Sequence, residues 1–279
     1  MDTNKISRQQ VRGDLLKKII IRIDYSGVPS ITEWIASFTK DDELSCKFEE
    51  YDKGTAINRA TFSFSNLKDI AKTLAIPLEE LQRETIHRFS SSKFEGHEDK
   101  IVLDVTSFFT TMTIDCKNYV GIDEYLSYVV TYLHKLKEFC KYMKIARIGI
   151  RKIGGSVFHN VDEIENVYNR NLFFGEIIDE ISSAAHDIDY QDNFIEKEAN
   201  IKVNYRRLCR EVEDSNRNQL YQVLMDIDGY IDEQMILEQH LALPEKIEEV
   251  MTKINDCLFK LFVFSMNEEY LRGKLSYGE

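Results

Sequence analysis

Two hydrophobic rhythms alternate along this chain. In residues 15–25 (LLKKIIIRIDY), Ile19, Ile21 and Ile23 recur at every second position against Lys18, Ile20, Arg22 and Asp24. That period predicts a strand. Gly27 and Pro29 close it, and Ser30 with Glu33 three residues on has the form of a capping box, which predicts a short helix through Phe38. Residues 45–51, 59–65, 85–90, 100–105 and 108–116 again read as strands, with short helical or irregular pieces at 67–75 and 78–80 around Pro77. Asp123 then opens a helix to about Met143. Leu126, Val129, Val130, Leu133, Leu136 and Cys140 fall at spacings of three and four and form one buried stripe.

The second part repeats this order. Residues 145–153 (IARIGIRKI) predict a strand with Ile148 and Ile150 on one face and Arg147, Gly149 and Arg151 on the other. Gly154, Gly155 and Ser156 read as a turn, and residues 162–168 as a short helix. Residues 183–190, 198–209 and 219–230 read as long antiparallel strands. Pro244 at a first-turn position opens a final helix to about Met266, with Ile247, Val250, Ile254, Cys257, Leu258 and Leu261 as its stripe. Each half therefore runs strand, short helix, several strands, long helix. The order predicts an internal duplication: a polar lead-in at 1–14, a first half at 15–144 and a second at 145–279. The fold class expected is α+β, with two similar halves, each a mainly antiparallel sheet with one long helix packed across it.

Composition narrows the function classes. The 279 residues are 43% hydrophobic and 30% charged, ordinary for a chain with a core. Lys and Arg number 36 against 48 Asp and Glu, a formal charge of −12 that disfavours general affinity for nucleic acids or anionic membranes. The most basic interval, with Lys202, Arg206, Arg207, Arg210 and Arg217, is interrupted by Glu211, Glu213 and Asp214 and reads as a mixed-charge surface. Five cysteines lie far apart with no CxxC, and the opening residues lack the apolar stretch of a secretory leader. A cytoplasmic location with reduced thiols is expected, and no stretch approaches the roughly 18 apolar residues of a membrane span.

The candidate chemistry sits on strands. Asp226 and Asp228, two apart, would share a strand face and could hold a divalent cation. The segment HDIDYQD carries His186, Asp187, Asp189 and Asp192. Asp187 and Asp189 share a face, and an antiparallel ladder against the other DxD would make a four-carboxylate cluster that needs a cation or a basic partner to offset repulsion. Arg147 and Arg151 bracket Gly149 on one face, a spacing suited to gripping a phosphate or carboxylate, or to internal pairing with the acidic strands. No phosphate loop, nucleophile elbow or paired histidine motif is present in the sequence, and no cofactor is implied.

The phrases RIGIRKIGG, LMDIDGYID, TIDCKNYVGIDEYLSYV and KINDCLFKLFVFSMNEEYL resemble a sporadically distributed family of conserved hypothetical proteins of bacteria and archaea. Its members have an R-x-G-x-R strand after a long central helix, a D-x-D strand and a phenylalanine-rich last helix. The resemblance implies no activity. Its patchy distribution implies accessory genes, such as those of mobile elements or anti-phage defence. Residues and resemblance together point to a non-catalytic protein-binding or assembly component, acting on a protein partner or on itself. The alternative is a metal-dependent phosphodiesterase or nuclease built on the acidic strands, with Arg147 and Arg151 clamping phosphate.

Overall fold

The computed structural model describes residues 15–57, 83–93, 99–117, 121–173, 188–232, 237 and 244–274. Its strands are β1 (Leu16–Ser26), β2 (Glu50–Ile57), β3 (Arg83–Ser91), β4 (Lys100–Val105), β5 (Phe109–Asp115), β6 (Lys144–Phe158), β7 (Ile188–Ile195), β8 (Lys202–Glu213) and β9 (Gln219–Ile231). The helices are α1 (Ile31–Phe38), α2 (Asp42–Ser45), α3 (Asp123–Phe139), α4 (Val161–Val167), α5 (Arg170–Phe173), α6 (Pro244–Ser265) and α7 (Glu268–Lys274). The fold is mixed α and β, and the two sheets expected of the two halves are one. Among the described residues, nine strands run in the order β2-β3-β4-β5-β1-β6-β9-β8-β7, every neighbouring pair antiparallel.

The join is the pairing of β1 with β6. Ile21 stands opposite Met112 of β5 on one side and Ile150 of β6 on the other. Ile19, Ile21 and Ile23 are fully buried, because their side of the alternation lies under the helices. All the helices bury their apolar residues against that same side. Trp34 and Phe38 of α1, the stripe of α3, and Ile254 and Leu258 of α6 enter a core that draws strands from both sides of the β1–β6 pairing. Ile164 of α4, Phe173 of α5 and Leu271 of α7 form a smaller cluster with Ile188, Cys209 and Val223. Helix α6 packs on α3, β6 and β9. It comes so close to β9 that a Cβ on Gly229 would stand 2.7 Å from Leu258 Cδ2.

A polar chain is enclosed in this core. Tyr25 donates its hydroxyl to the Thr106 carbonyl at 2.8 Å, Thr110 donates to the Tyr132 hydroxyl at 3.0 Å, and Trp34 Nε1 donates to the same hydroxyl at 3.2 Å. These three donors thus find acceptors, as their desolvation requires.

Several local expectations are corrected. Ser30 occupies the position before α1 but caps nothing with its side chain. Residues 45–51 do not form one strand. Asp41 accepts from the Leu44 amide at 3.3 Å and caps the single turn of α2, and β2 starts only at Glu50. Gly154 and Gly155 are interior to β6, since Cβ atoms there would lie 2.7 Å from the Leu15 carbonyl oxygen and 2.1 Å from that of Val223. Two glycines mark a close approach of three backbones, with no turn. Residues 59–65, 67–75, 78–80 and 183–187 lie outside the described residues.

Candidate functional site

The face of the sheet opposite the helices carries the residues singled out by sequence. Along β6, Arg147, Gly149 and Arg151 alternate out of the core. Arg22 of β1 stands opposite Gly149, and Asp228 of β9 stands opposite Arg151. Asp226, Asp228 and Tyr230 project from β9 on this same side, beside Arg206, Asn204 and Lys202 of β8. Among the described residues no helix buries its apolar face there.

Guanidinium–carboxylate pairs cross this surface. Arg151 holds both oxygens of Asp226, at 2.7 and 2.5 Å. Arg147 donates to Asp228 at 3.0 Å and lies 3.8 Å from Asp24, which in turn accepts from Arg22 Nε at 2.7 Å. Arg206 binds Asp189 through two bonds of 2.8 and 2.6 Å, and Arg88 binds Asp104 at 2.7 and 2.9 Å. Two of the arginines also stack on rings: Arg22 lies 4.4 Å from the centre of Phe109, and Arg147 lies 4.2 Å from that of Tyr230. At the centre Gly149 leaves a floor without a side chain. A Cβ there would touch Tyr230 Cβ at 3.0 Å and Arg147 Nη2 at 3.5 Å.

The carboxylates differ in electrostatic state. Burial pushes the Asp228 carboxyl above its ordinary range, although Arg147 and Arg151 pull it back. Its side chain is 23% exposed, and the loss of hydration outweighs the attraction of the two arginines and the hydrogen bond from Asn204. Asp189 is held below the usual carboxylate range by the hydrogen bonds from Arg206, on a half-exposed surface. Arg147 Nε is buried and has no partner among the described residues.

Asp226, Asp228 and Asp189 share the face, but Asp189 does not lie across a ladder from the other two. Strand β8 stands between them, and its Arg206, opposite Asp226, reaches outward to Asp189. Asp187 and His186 lie outside the described residues. Among the described residues no group of three or more His, Cys, Asp or Glu is disposed to hold a metal ion. The basic residues of β8 are paired: Lys202 with Asp232 at 2.7 Å, Arg207 with Asp192, and Arg210 with Gln222 at 2.8 Å.

Arg22, Asp24 and Tyr230 belong to this surface although sequence reasoning did not single them out, and Arg206 joins them from the interval read as a mixed-charge surface. Their alternation placed each on the polar side of its strand. What was missing is the strand order that brings β1, β6, β9 and β8 side by side. Elsewhere, a shallow hollow of about 390 Å³ at one end of the sheet is lined by Ser26, Gly27, Val28, Pro29, Ser107, Phe108 and Tyr142 and holds no ionisable group other than a phenol.

The class defined so far is a mixed α and β protein with one large antiparallel sheet, helices on one face and an ion-paired surface on the other. No helix of the described residues is long and apolar enough to cross a membrane. Comparison with protein-family models, curated proteins and solved structures finds no match to this chain.

Proposed function

We propose that this protein is a non-catalytic binding or assembly component that receives a protein partner on the helix-free face of its sheet, around Gly149. The observation that carries the reading is the arginine–carboxylate pairing of that face. A carboxylate gripped through both oxygens, as Asp226 and Asp189 are, has few lone pairs to offer a metal or a water. A guanidinium braced on a ring, as in Arg22–Phe109 and Arg147–Tyr230, is the kind of group that anchors protein interfaces. The acidic balance of the chain, −12, directs such a face toward polar protein surfaces rather than phosphate backbones. The test is quantitative capture by the immobilised chain, using wild type, Arg151→Glu/Arg206→Glu, and exposed Lys253→Glu on α6 as control. Captured proteins should be lost with the double substitution and kept with the control. Capture indifferent to the double substitution would reject this face.

A second reading is a metal-dependent phosphodiesterase or nuclease. It is favoured by the half-buried Asp228 carboxyl, which lies beside Asp226 with its pKa raised. It requires Arg147 and Arg151 to release their carboxylates to a cation and to clamp phosphate instead. Calorimetric titration with Mn²⁺ and Mg²⁺ separates the two readings. Saturable binding lost in Asp226→Asn/Asp228→Asn supports the enzyme, and no heat from either protein ends it.

The internal duplication belongs to the same proposal, with its boundary at Lys144. From the β1–β6 join outward, one side reads β1, β5, β4, β3, β2 and the other β6, β9, β8, β7, each closed by a long helix. A role in an accessory system, of mobile elements or anti-phage defence, rests on the family resemblance of the sequence alone.

A further inference from the structure

The two outer strands of the sheet are built differently. Strand β2 reads EYDKGTAI, with charges and a glycine that discourage a further strand from pairing. Strand β7 reads IDYQDNFI, with no lysine, proline or glycine, and pairs with β8 in unbroken register. Among the described residues no strand lies on its outer side. Residues 189–195 are all exposed, including Tyr190, Phe194 and Ile195 at 40%, 39% and 55%. Its two carboxylates are already neutralised from β8: Asp189 by Arg206 and Asp192 by Arg207. A strand edge whose carboxylates are ion-paired, which carries apolar side chains and against which no described strand lies, is a template for another strand.

The hydrogen-bond parity fixes the registers in which a second copy of this strand can pair with it. At the turn after β7, the Glu196 amide donates to the Ile201 carbonyl at 2.8 Å, so the even-numbered residues of this strand turn their backbone groups toward β8. The odd-numbered residues, Asp189, Gln191, Asn193 and Ile195, turn theirs outward. In an antiparallel pairing of β7 with a copy of itself, those odd residues must bond one another. A two-fold axis through Asp192 satisfies this over the whole strand. Gln191 then bonds across to Asn193 of the second copy, and Asp189 to Ile195. Tyr190 faces Phe194 twice, in the non-hydrogen-bonded pairs where side chains approach most closely. Shifting the axis to Gln191 or Asn193 keeps the parity but breaks both aromatic pairs. We infer that two copies of this chain associate through β7, about an axis at Asp192, into one continuous antiparallel sheet. The inference does not depend on the partner proposed for the helix-free face, and its tests leave Arg147, Arg151 and Gly149 untouched.

Sedimentation velocity over a wide concentration range tests it, with wild type and Asn193→Pro. Because Asn193 turns its amide outward, proline there removes a donor to the second copy and none to β8. Wild type should dimerise with rising concentration, and Asn193→Pro should stay monomeric with an unchanged circular dichroism melt. If that variant fails to fold, Tyr190→Lys/Phe194→Lys serves the same purpose. A third variant, Asp192→Cys with exposed Cys46 replaced by serine, should form a disulfide-linked dimer on mild oxidation, since residues facing across the axis lie within disulfide reach. Wild type that remains monomeric throughout would overturn the inference. So would a dimer that survives both surface variants.

Discussion

Replacing Arg147 by methionine keeps the length of its stem and removes its charge. The side chains of Arg147 and Asp228 are 20% and 23% exposed, and their bond is 3.0 Å. Exposed pairs contribute up to about 1 kcal/mol, and breaking fully buried pairs costs about 3–5 kcal/mol. A pair exposed to this degree falls between, at about 2–3 kcal/mol, including the lost stacking on Tyr230. The loss should depend on pH. Burial already raises the Asp228 pKa above its unfolded value, and Arg147 is the foremost group lowering it. Without Arg147 the folded pKa rises further. A raised folded pKa means that the folded state holds the proton more tightly, so the stability it contributes is present at low pH and fades as pH climbs through the folded pKa. Urea unfolding should therefore show a larger loss in Arg147→Met near pH 7 than near pH 3, below the ordinary carboxylate pKa of 3.8. Adding Asp228→Asn should restore about 1–2 kcal/mol at neutral pH, because it removes the stranded charge. Equal losses at both pH values, or strict additivity of the two substitutions, would refute this account of the surface.

Three further outcomes concern the packing beneath it. Gly229→Ala should cost about 1–3 kcal/mol by chemical denaturation, since the new methyl meets Leu258 at 2.7 Å and Ile254 at 3.2 Å and α6 must give way. Tyr132→Phe should lower stability by a similar amount, about 1–3 kcal/mol, because Trp34 and Thr110 lose their common acceptor inside the core. Asn255→Leu should raise the melting temperature, gaining about 1–2 kcal/mol, as its fully buried amide has no partner among the described residues.

Local periodicity was a good guide wherever one side of an element is buried. The alternation in β1, β4 and β5 and the stripe of α3 follow from which atoms leave water, and both are visible in the residue types. It misled where conformation depends on distant backbone. Gly154 and Gly155 have the composition of a turn, yet they lie in a strand because Leu15 and Val223 crowd them from either side. Asp226 and Asp228 were legible as a pair on one face. Their partners were not, since nothing near residue 226 states that β6 and β8 flank β9. The proposed ladder between two acidic strands could not anticipate β8 and Arg206 between them.

The position of β1 at the join governs the order in which the molecule can be made. This strand leaves the ribosome before both of its neighbours, which come much later, β5 at residues 109–115 and β6 at 144–158. Until β6 arrives, one whole side of the run Ile19, Ile20, Ile21 has no native neighbour. Such long-range closure is slow, and a β-branched run left waiting tends to associate with other chains. Lys17 and Lys18 before the run and Arg22 and Asp24 at its end are charges of the kind that hold such segments apart during synthesis. A chain ending at residue 143 would keep β1 permanently in that unfinished state, and expression of that fragment should yield aggregate where the full chain yields folded protein.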